Sequence, residues 1–202
     1  MSQSIHTYQL LRRIASGPDE TAFKELFGQY AFRLVTFANS FLRNNELSEE
    51  VVSDVFIKVW LHRETLYTIE NFTAYLFKAT RNTAINYLEN ERRVKAEQLE
   101  DLNVDFVVDR MCPETAFISK ELREAIEKAI RDLPPRCQLI YHLAKDEKMK
   151  YKDISAVLGI SVKTIDNQIA IAIKKIGESI SQYVDNQYVQ SFLLQIFLPV
   201  RN

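Results

Sequence analysis

The residues best suited to chemistry lie in YKDISAVLGISVKTIDNQIAIAIKKI, residues 151–176. Lys163, Thr164, Asn167, Gln168, Lys174 and Lys175 fall on one face of a helix wound at about 100° per residue. Ammonium, hydroxyl and amide groups at that spacing can meet base edges and phosphates in a major groove. Val162, Ile165, Ile169, Ala172, Ile173 and Ile176 share the opposite, packing face. Upstream, a first helix ends at Leu158, and Gly159 can supply the left-handed residue that lets the chain leave it. Ile160 packs between the two helices and Ser161 caps the second. This is a helix-turn-helix layout. The competing reading is a helical hairpin with a solvated face.

A second constellation is acidic. Glu49, Glu50, Ser53 and Asp54 open an amphipathic helix predicted over roughly residues 48–62, with Ser48 as its cap. Read from the residues alone, carboxylates beside Val51, Val52, Val55 and Phe56 form a solvated helix face. Glu49 and Glu50 are adjacent, so they point in different directions and do not make a catalytic pair. A third constellation, Lys78, Arg81, Asn82 and Asn86 followed by Arg92 and Arg93, lies on a helix predicted over residues 72–93. Tyr67, Phe72 and Tyr75 stand close by as rings.

Enzymatic chemistry finds no support. The chain has no phosphate-binding glycine loop, no HExxH and no nucleophile elbow. Three histidines, His6, His62 and His142, are too far apart in sequence for a zinc pattern. Two cysteines, Cys112 and Cys137, make no disulfide framework. No catalytic residue, metal or cofactor is expected.

The elements that must carry these residues are all helical. Among 202 residues there are only 4 Gly and 5 Pro, which argues against a turn-rich β fold. Asp19 can cap a long helix carrying Phe23, Leu26, Phe27, Tyr30, Leu34, Phe37, Ala38 and Phe41, broken at Asn44-Asn45. With the helices over 48–62 and 72–93 it forms one domain, residues 1–94. Residues 95–118 lose the helical period, contain Pro113 and read as a linker, with Phe106-Val107-Val108 able to dock on a domain. Residues 119–183 form a second, smaller helical domain. Its helices are predicted over about 115–133, 136–145, 152–158 and 162–181, with a turn forced at Pro134-Pro135. The tail, 184–202, has Val189, Phe192, Leu193, Ile196 and Phe197 at amphipathic spacing. It either packs on the second domain or docks a partner. The fold class is therefore all-α: two small helical domains joined by an acidic linker, the second containing the helix-turn-helix.

Charge follows the same divisions. Residues 1–94 are neutral overall, 95–118 carry a net −4, 119–183 a net +3, and 184–202 are neutral, giving −1 for the chain. A basic module behind an acidic connector points to a polyanionic partner for the second domain. The opening MSQSIHTYQLLRR has no export pattern, and the longest uncharged stretch, Asn186–Val200, is too short for a span. A cytoplasmic location is expected.

The order FKELFGQYAFRLVTFA, SEEVVSDVFIKVW, NFTAYLFKATRNTAINYLENERR, then AIRDLPPRCQLIYHLAKDEKMKYKDISAVLGISVKTIDNQI resembles a two-domain bacterial RNA polymerase sigma factor of the extracytoplasmic-function family. The resemblance spans about residues 20–180. It implies that Glu49, Glu50, Ser53 and Asp54 face core RNA polymerase, where carboxylates beside apolar residues suit a basic helical partner. It implies that Lys78, Arg81, Asn82, Asn86, Arg92 and Arg93 engage the minus-ten element during melting, with Tyr67, Phe72 and Tyr75 as rings that could stack on unpaired bases or belong to the core. It implies that Ser161, Lys163, Thr164, Asn167, Gln168 and Lys174 bind the minus-thirty-five element of promoter DNA. An anti-sigma factor is a common further partner in the family. The chain departs from the family pattern in three places. Ser53 replaces a usual glutamine, Glu89 and Glu91 interrupt a basic run, and Gln168, Ile171 and Ile173 stand where relatives often carry basic residues. The alternatives are a homodimeric helix-turn-helix regulator that needs no polymerase, and an interaction-only relative that has lost promoter opening.

Overall fold

The computed structural model describes the backbone of residues 2–94 and 120–181, and the side chains of 5–90 and 120–181. The expected linker contact at Phe106–Val108 and the amphipathic tail lie outside the described residues. Every regular element among the described residues is a helix. The chain divides into two compact units, residues 1–101 and 102–202.

The first unit holds α1 (Ser2–Ser16), α2 (Glu20–Leu42), α3 (Asn45–Leu61), α4 (Arg63–Leu66) and α5 (Phe72–Val94). Asp19 caps α2 as expected, its carboxylate accepting the Ala22 N–H at 2.9 Å. That hydrogen bond, with the Arg13 guanidinium beside it, holds the Asp19 carboxyl below its ordinary range. The start of α3 differs from the expectation. Asn44 is the cap, accepting the Leu47 N–H at 3.1 Å, so the helix begins one turn before Ser48. Ser48 is wholly buried and donates to the Asn44 carbonyl at 2.7 Å. Asn and Ser are comparable caps, and the earlier one won because Arg43 takes a left-handed conformation (φ 51°) that ends α2 there.

Helix α1 was not expected. It lays Leu10, Leu11 and Ile14 against its neighbours α2 and α4. The core of the unit is built from Leu26, Leu34, Phe37, Val51, Val52, Val55, Phe56, Leu76 and Phe77. Edge-to-face rings stitch it: Phe37 on Phe77 at 4.9 Å, Phe27 on Phe56 at 4.8 Å, Phe23 on Trp60 at 5.0 Å. A hydroxyl chain, Thr7 to Tyr30 (3.2 Å) to Thr73 (3.0 Å), joins α1, α2 and α5.

The second unit holds α6 (Lys120–Arg131), α7 (Pro135–Lys145), α8 (Tyr151–Leu158) and α9 (Val162–Ile180). Pro135 occupies the first position of α7, where its missing N–H costs nothing. The core is mainly aliphatic: Ile140, Leu143, Ile154, Val157, Ile165, Ile169, Ile176 and Ile180. Two packing expectations are corrected. Val162 is 46% exposed rather than on the inner face: it is the first residue of α9, and helix side chains lean toward the N-terminus, here past the helix's own end. Leu158 is only half-buried, and Val157, one residue earlier, fills the space between the helices.

Candidate nucleic-acid interface

The chain turns through 109° between α8 and α9, within the range that helix-turn-helix pairs adopt. Gly159 makes the turn with φ 66°, a conformation that any L side chain resists. Ser155 then donates to the Ile160 carbonyl at 2.6 Å, closing the corner. Ser161 caps α9, its hydroxyl accepting the Thr164 N–H at 3.1 Å and sharing a 2.8 Å bond with the Thr164 hydroxyl. These two hydroxyls are therefore engaged with each other, and Thr164 is half-buried.

Lys163, Asn167, Lys174 and Lys175 are exposed on α9. Gln168 is half-buried at the flank, and its backbone carbonyl accepts the Cys137 thiol at 3.2 Å. The position was expected to face outward with Lys163, but α7 crowds that edge. Burial pushes the Cys137 thiol up from its ordinary value, with Lys175 opposing. Lys174 stands 3.9 Å from Glu178, an exposed pair worth little.

On the first unit, Glu49, Glu50, Ser53 and Asp54 share α3 but differ in their ties. Glu49 accepts from the Asn45 amide at 3.0 Å. The Ser53 hydroxyl donates to the Glu49 carbonyl at 2.8 Å, so it is satisfied by its own helix. Tyr87 of α5 lies 3.1 Å from a Glu50 oxygen and 2.9 Å from an Asp54 oxygen, its hydroxyl donating between the two. Burial and the two carboxylates push the Tyr87 hydroxyl well above its ordinary pKa. Asp54 is consequently half-buried and turned toward α5, where an outward position was expected. Tyr87 escaped the sequence reading because an isolated tyrosine on an apolar helix face carries no signal of its partner across the unit. Beyond the carboxylates the same helix exposes Ile57 and Leu61, at 57% and 67%.

Lys78, Asn82 and Asn86 are exposed within about 80° of one another around α5, and Arg81 is half-buried beside them. The side chains of Arg92 and Arg93 lie outside the described residues. Of the three candidate rings, Phe72 takes the core alternative: it is 5% exposed, edge-on to Tyr30 at 6.0 Å and stacked on Tyr75 at 5.9 Å. It belongs to the core because Asn71 caps α5 there, accepting the Ala74 N–H at 3.1 Å and directing Phe72 inward. Tyr75 is half-buried, and Tyr67 stands 40% exposed.

The Sigma-70 region 2 family matches residues 26–94, and Sigma-70, region 4 matches residues 123–176. The ECF RNA polymerase sigma-E factor of Escherichia coli K12 is 24% identical over 191 residues, covering 91% of this chain and 99% of that protein. The chain is a sigma factor of the extracytoplasmic-function family. As a sigma factor it directs RNA polymerase to promoters. The sigma-E factor of Haemophilus influenzae is 26% identical over 176 residues, covering 84% of this sigma factor and 92% of that one. In fold it is similar to CnrH, solved with the cytosolic domain of CnrY (TM-score 0.51, 21% identity, 89% of this chain and 99% of that one). It is also similar to RpoE of Bartonella quintana, solved with the anti-sigma factor NepR (TM-score 0.50, 19% identity, 80% and 98%). Among the described residues no single helix is long and apolar enough to cross a membrane.

Proposed function

We propose that this sigma factor binds core polymerase through the carboxylate face of α3, holds the melted minus-ten strand against α5, and reads the minus-thirty-five element with α9. The roles fall as follows. Glu49, Glu50 and Asp54, with Ser53 between them, meet a basic surface of the polymerase. Lys78, Arg81, Asn82 and Asn86 take phosphates and base edges of the separated strand, with Arg92 and Arg93 extending that face and Tyr67 as the available ring. Lys163, Asn167 and Lys174 enter the major groove, with Ser161, Thr164 and Gln168 along its edge. The protein acts in the cytoplasm and carries out no chemistry of its own. Residues 1–94 serve as the polymerase and minus-ten domain, 119–183 as the minus-thirty-five domain, 95–118 as the acidic linker and 184–202 as the tail. The solved CnrH and RpoE each hold a second protein, and an anti-sigma regulator of that kind is part of the proposal.

The observation that carries the reading is the pairing, on one unit, of a carboxylate face on α3 with a cation and amide face on α5. A homodimeric regulator needs only α8 and α9. Reconstituted transcription with core polymerase on a random promoter library tests it. The expected result is initiation from one related set of promoters. Core binding without initiation would instead favour the interaction-only relative. Tight specific duplex binding by the free chain, without core binding, would favour the homodimeric regulator.

A further inference from the structure

The outward face of α9 contains a residue that does not fit a purely polar reading surface. Ile171 is 40% exposed, although it is one of the most apolar side chains available. Asn167, Ile171 and Lys174 lie within about 60° of one another around the helix. Around the helix Ile171 falls between exposed Asn167 and exposed Lys175, about 40° from each, with exposed Lys174 about 60° away. Val162, the other exposed apolar residue of α9, falls well off this line. Ile171 lies outside the buried core of the unit, whose α9 face is filled by Ile165, Ile169, Ala172 and Ile176. An apolar group framed by cations fits a polyanion that presents an apolar spot. In a duplex major groove that spot is the 5-methyl group of thymine, which no other base carries.

We propose that Ile171 is a specificity-determining residue that packs against a thymine methyl in the upstream promoter element. The inference rests on the reading of α9 given above and deepens it. Asn167 lies four residues earlier, about 6 Å along the helix axis. Base pairs are spaced at about 3.4 Å. An adenine read by the Asn167 amide and the thymine read by Ile171 are therefore one or two base pairs apart.

The test uses full-length protein with core polymerase and a promoter duplex selected from a random library. Each thymine of the upstream element is replaced in turn by uracil, which lacks the methyl but keeps the same hydrogen-bonding groups. Holoenzyme binding is expected to weaken about fourfold at one position, the effect of one buried methyl. The Ile171→Ala holoenzyme is expected to bind the thymine and uracil duplexes equally. Ile171→Arg is expected to move the preference at that position from thymine toward guanine, whose O6 and N7 suit a guanidinium. Uracil that is neutral at every position for the wild type overturns the inference. So does an undiminished uracil effect in the Ile171→Ala holoenzyme. Normal initiation without methyl sensitivity removes this inference alone. Failure of the wild type to initiate from any promoter removes the underlying reading and this inference with it.

Discussion

In the first unit a tyrosine of α5 reaches across to two carboxylates of α3, 33 and 37 residues away in sequence. In the second unit the hydroxyls that shape the recognition face belong to the first turn of α9 itself, three residues apart. The cores differ in the same sense. Rings at 4.8–5.0 Å lock α2 to α3 and α5, whereas the described core of the second unit is chiefly branched aliphatic side chains. A surface held by cross-helix ties depends on the tertiary packing of its unit. A surface held by a local cap survives as long as its own helix does.

The largest effects should come from emptying each core. Phe37→Ala should cost about 3–5 kcal/mol and Ile165→Ala about 2–5 kcal/mol. Each loss should fall on its own unit, so calorimetry should show one transition lowered and the other unchanged. A single transition shifted by both variants would break the comparison. Leu158→Ala, at a half-buried position, should cost less than Ile165→Ala in the same melts.

Next in size is reversal of the α3 charges. Glu50→Lys with Asp54→Lys should weaken capture of core polymerase by roughly tenfold, about 1.4 kcal/mol, with helicity by circular dichroism retained. Unchanged pull-down would remove α3 from the polymerase interface.

Smaller again are the two kinds of tie. Tyr87→Phe removes the hydroxyl shared by Glu50 and Asp54 and should cost about 1–2 kcal/mol, with weaker polymerase binding. Ser161→Ala should cost about 1 kcal/mol by loss of the cap and leave polymerase binding intact. Chemical denaturation with pull-down measures both. Equal effects of the two variants on polymerase binding would show that the distinction between cross-helix and local ties has no functional consequence.

The smallest effect is acid sensitivity at Asp19. Its carboxyl is held low by the Ala22 N–H and by Arg13. The stabilisation is thus present above the unfolded carboxylate range and is lost as pH falls through the lower folded value. Asp19→Asn should flatten the fall in melting temperature between about pH 5 and 3, and only in the first unit. A slope identical to wild type would mean the cap is not the titrating group.

Much of this was legible in the chain. Asp19, Gly159 and Ser161 announce their caps and turn because each acts on residues within one helical turn. The inner face of α9 follows directly from its period, except at Val162, the first residue of the helix. The start of α3 was misread because Asn44 and Ser48 are chemically comparable caps, and the end of the preceding helix chose between them. Helix α1 was missed because Leu10, Leu11 and Ile14 declare their role only once α2 and α4 lie beneath them.

The amino-acid sequence by itself determined the all-helical class, the long helices from α2 onward, the two-unit division, the helix-turn-helix and the family, because periodicity, caps and motif order are properties of neighbouring residues. Tertiary structure alone decided that Phe72 is core, that Asp54 turns inward to Tyr87, that Gln168 sits at the flank and that Ile171 is left exposed. Each of those outcomes depends on which side chain arrives from a helix distant in sequence, or on none arriving. Burial is set by that meeting and not by the residue's own chemistry.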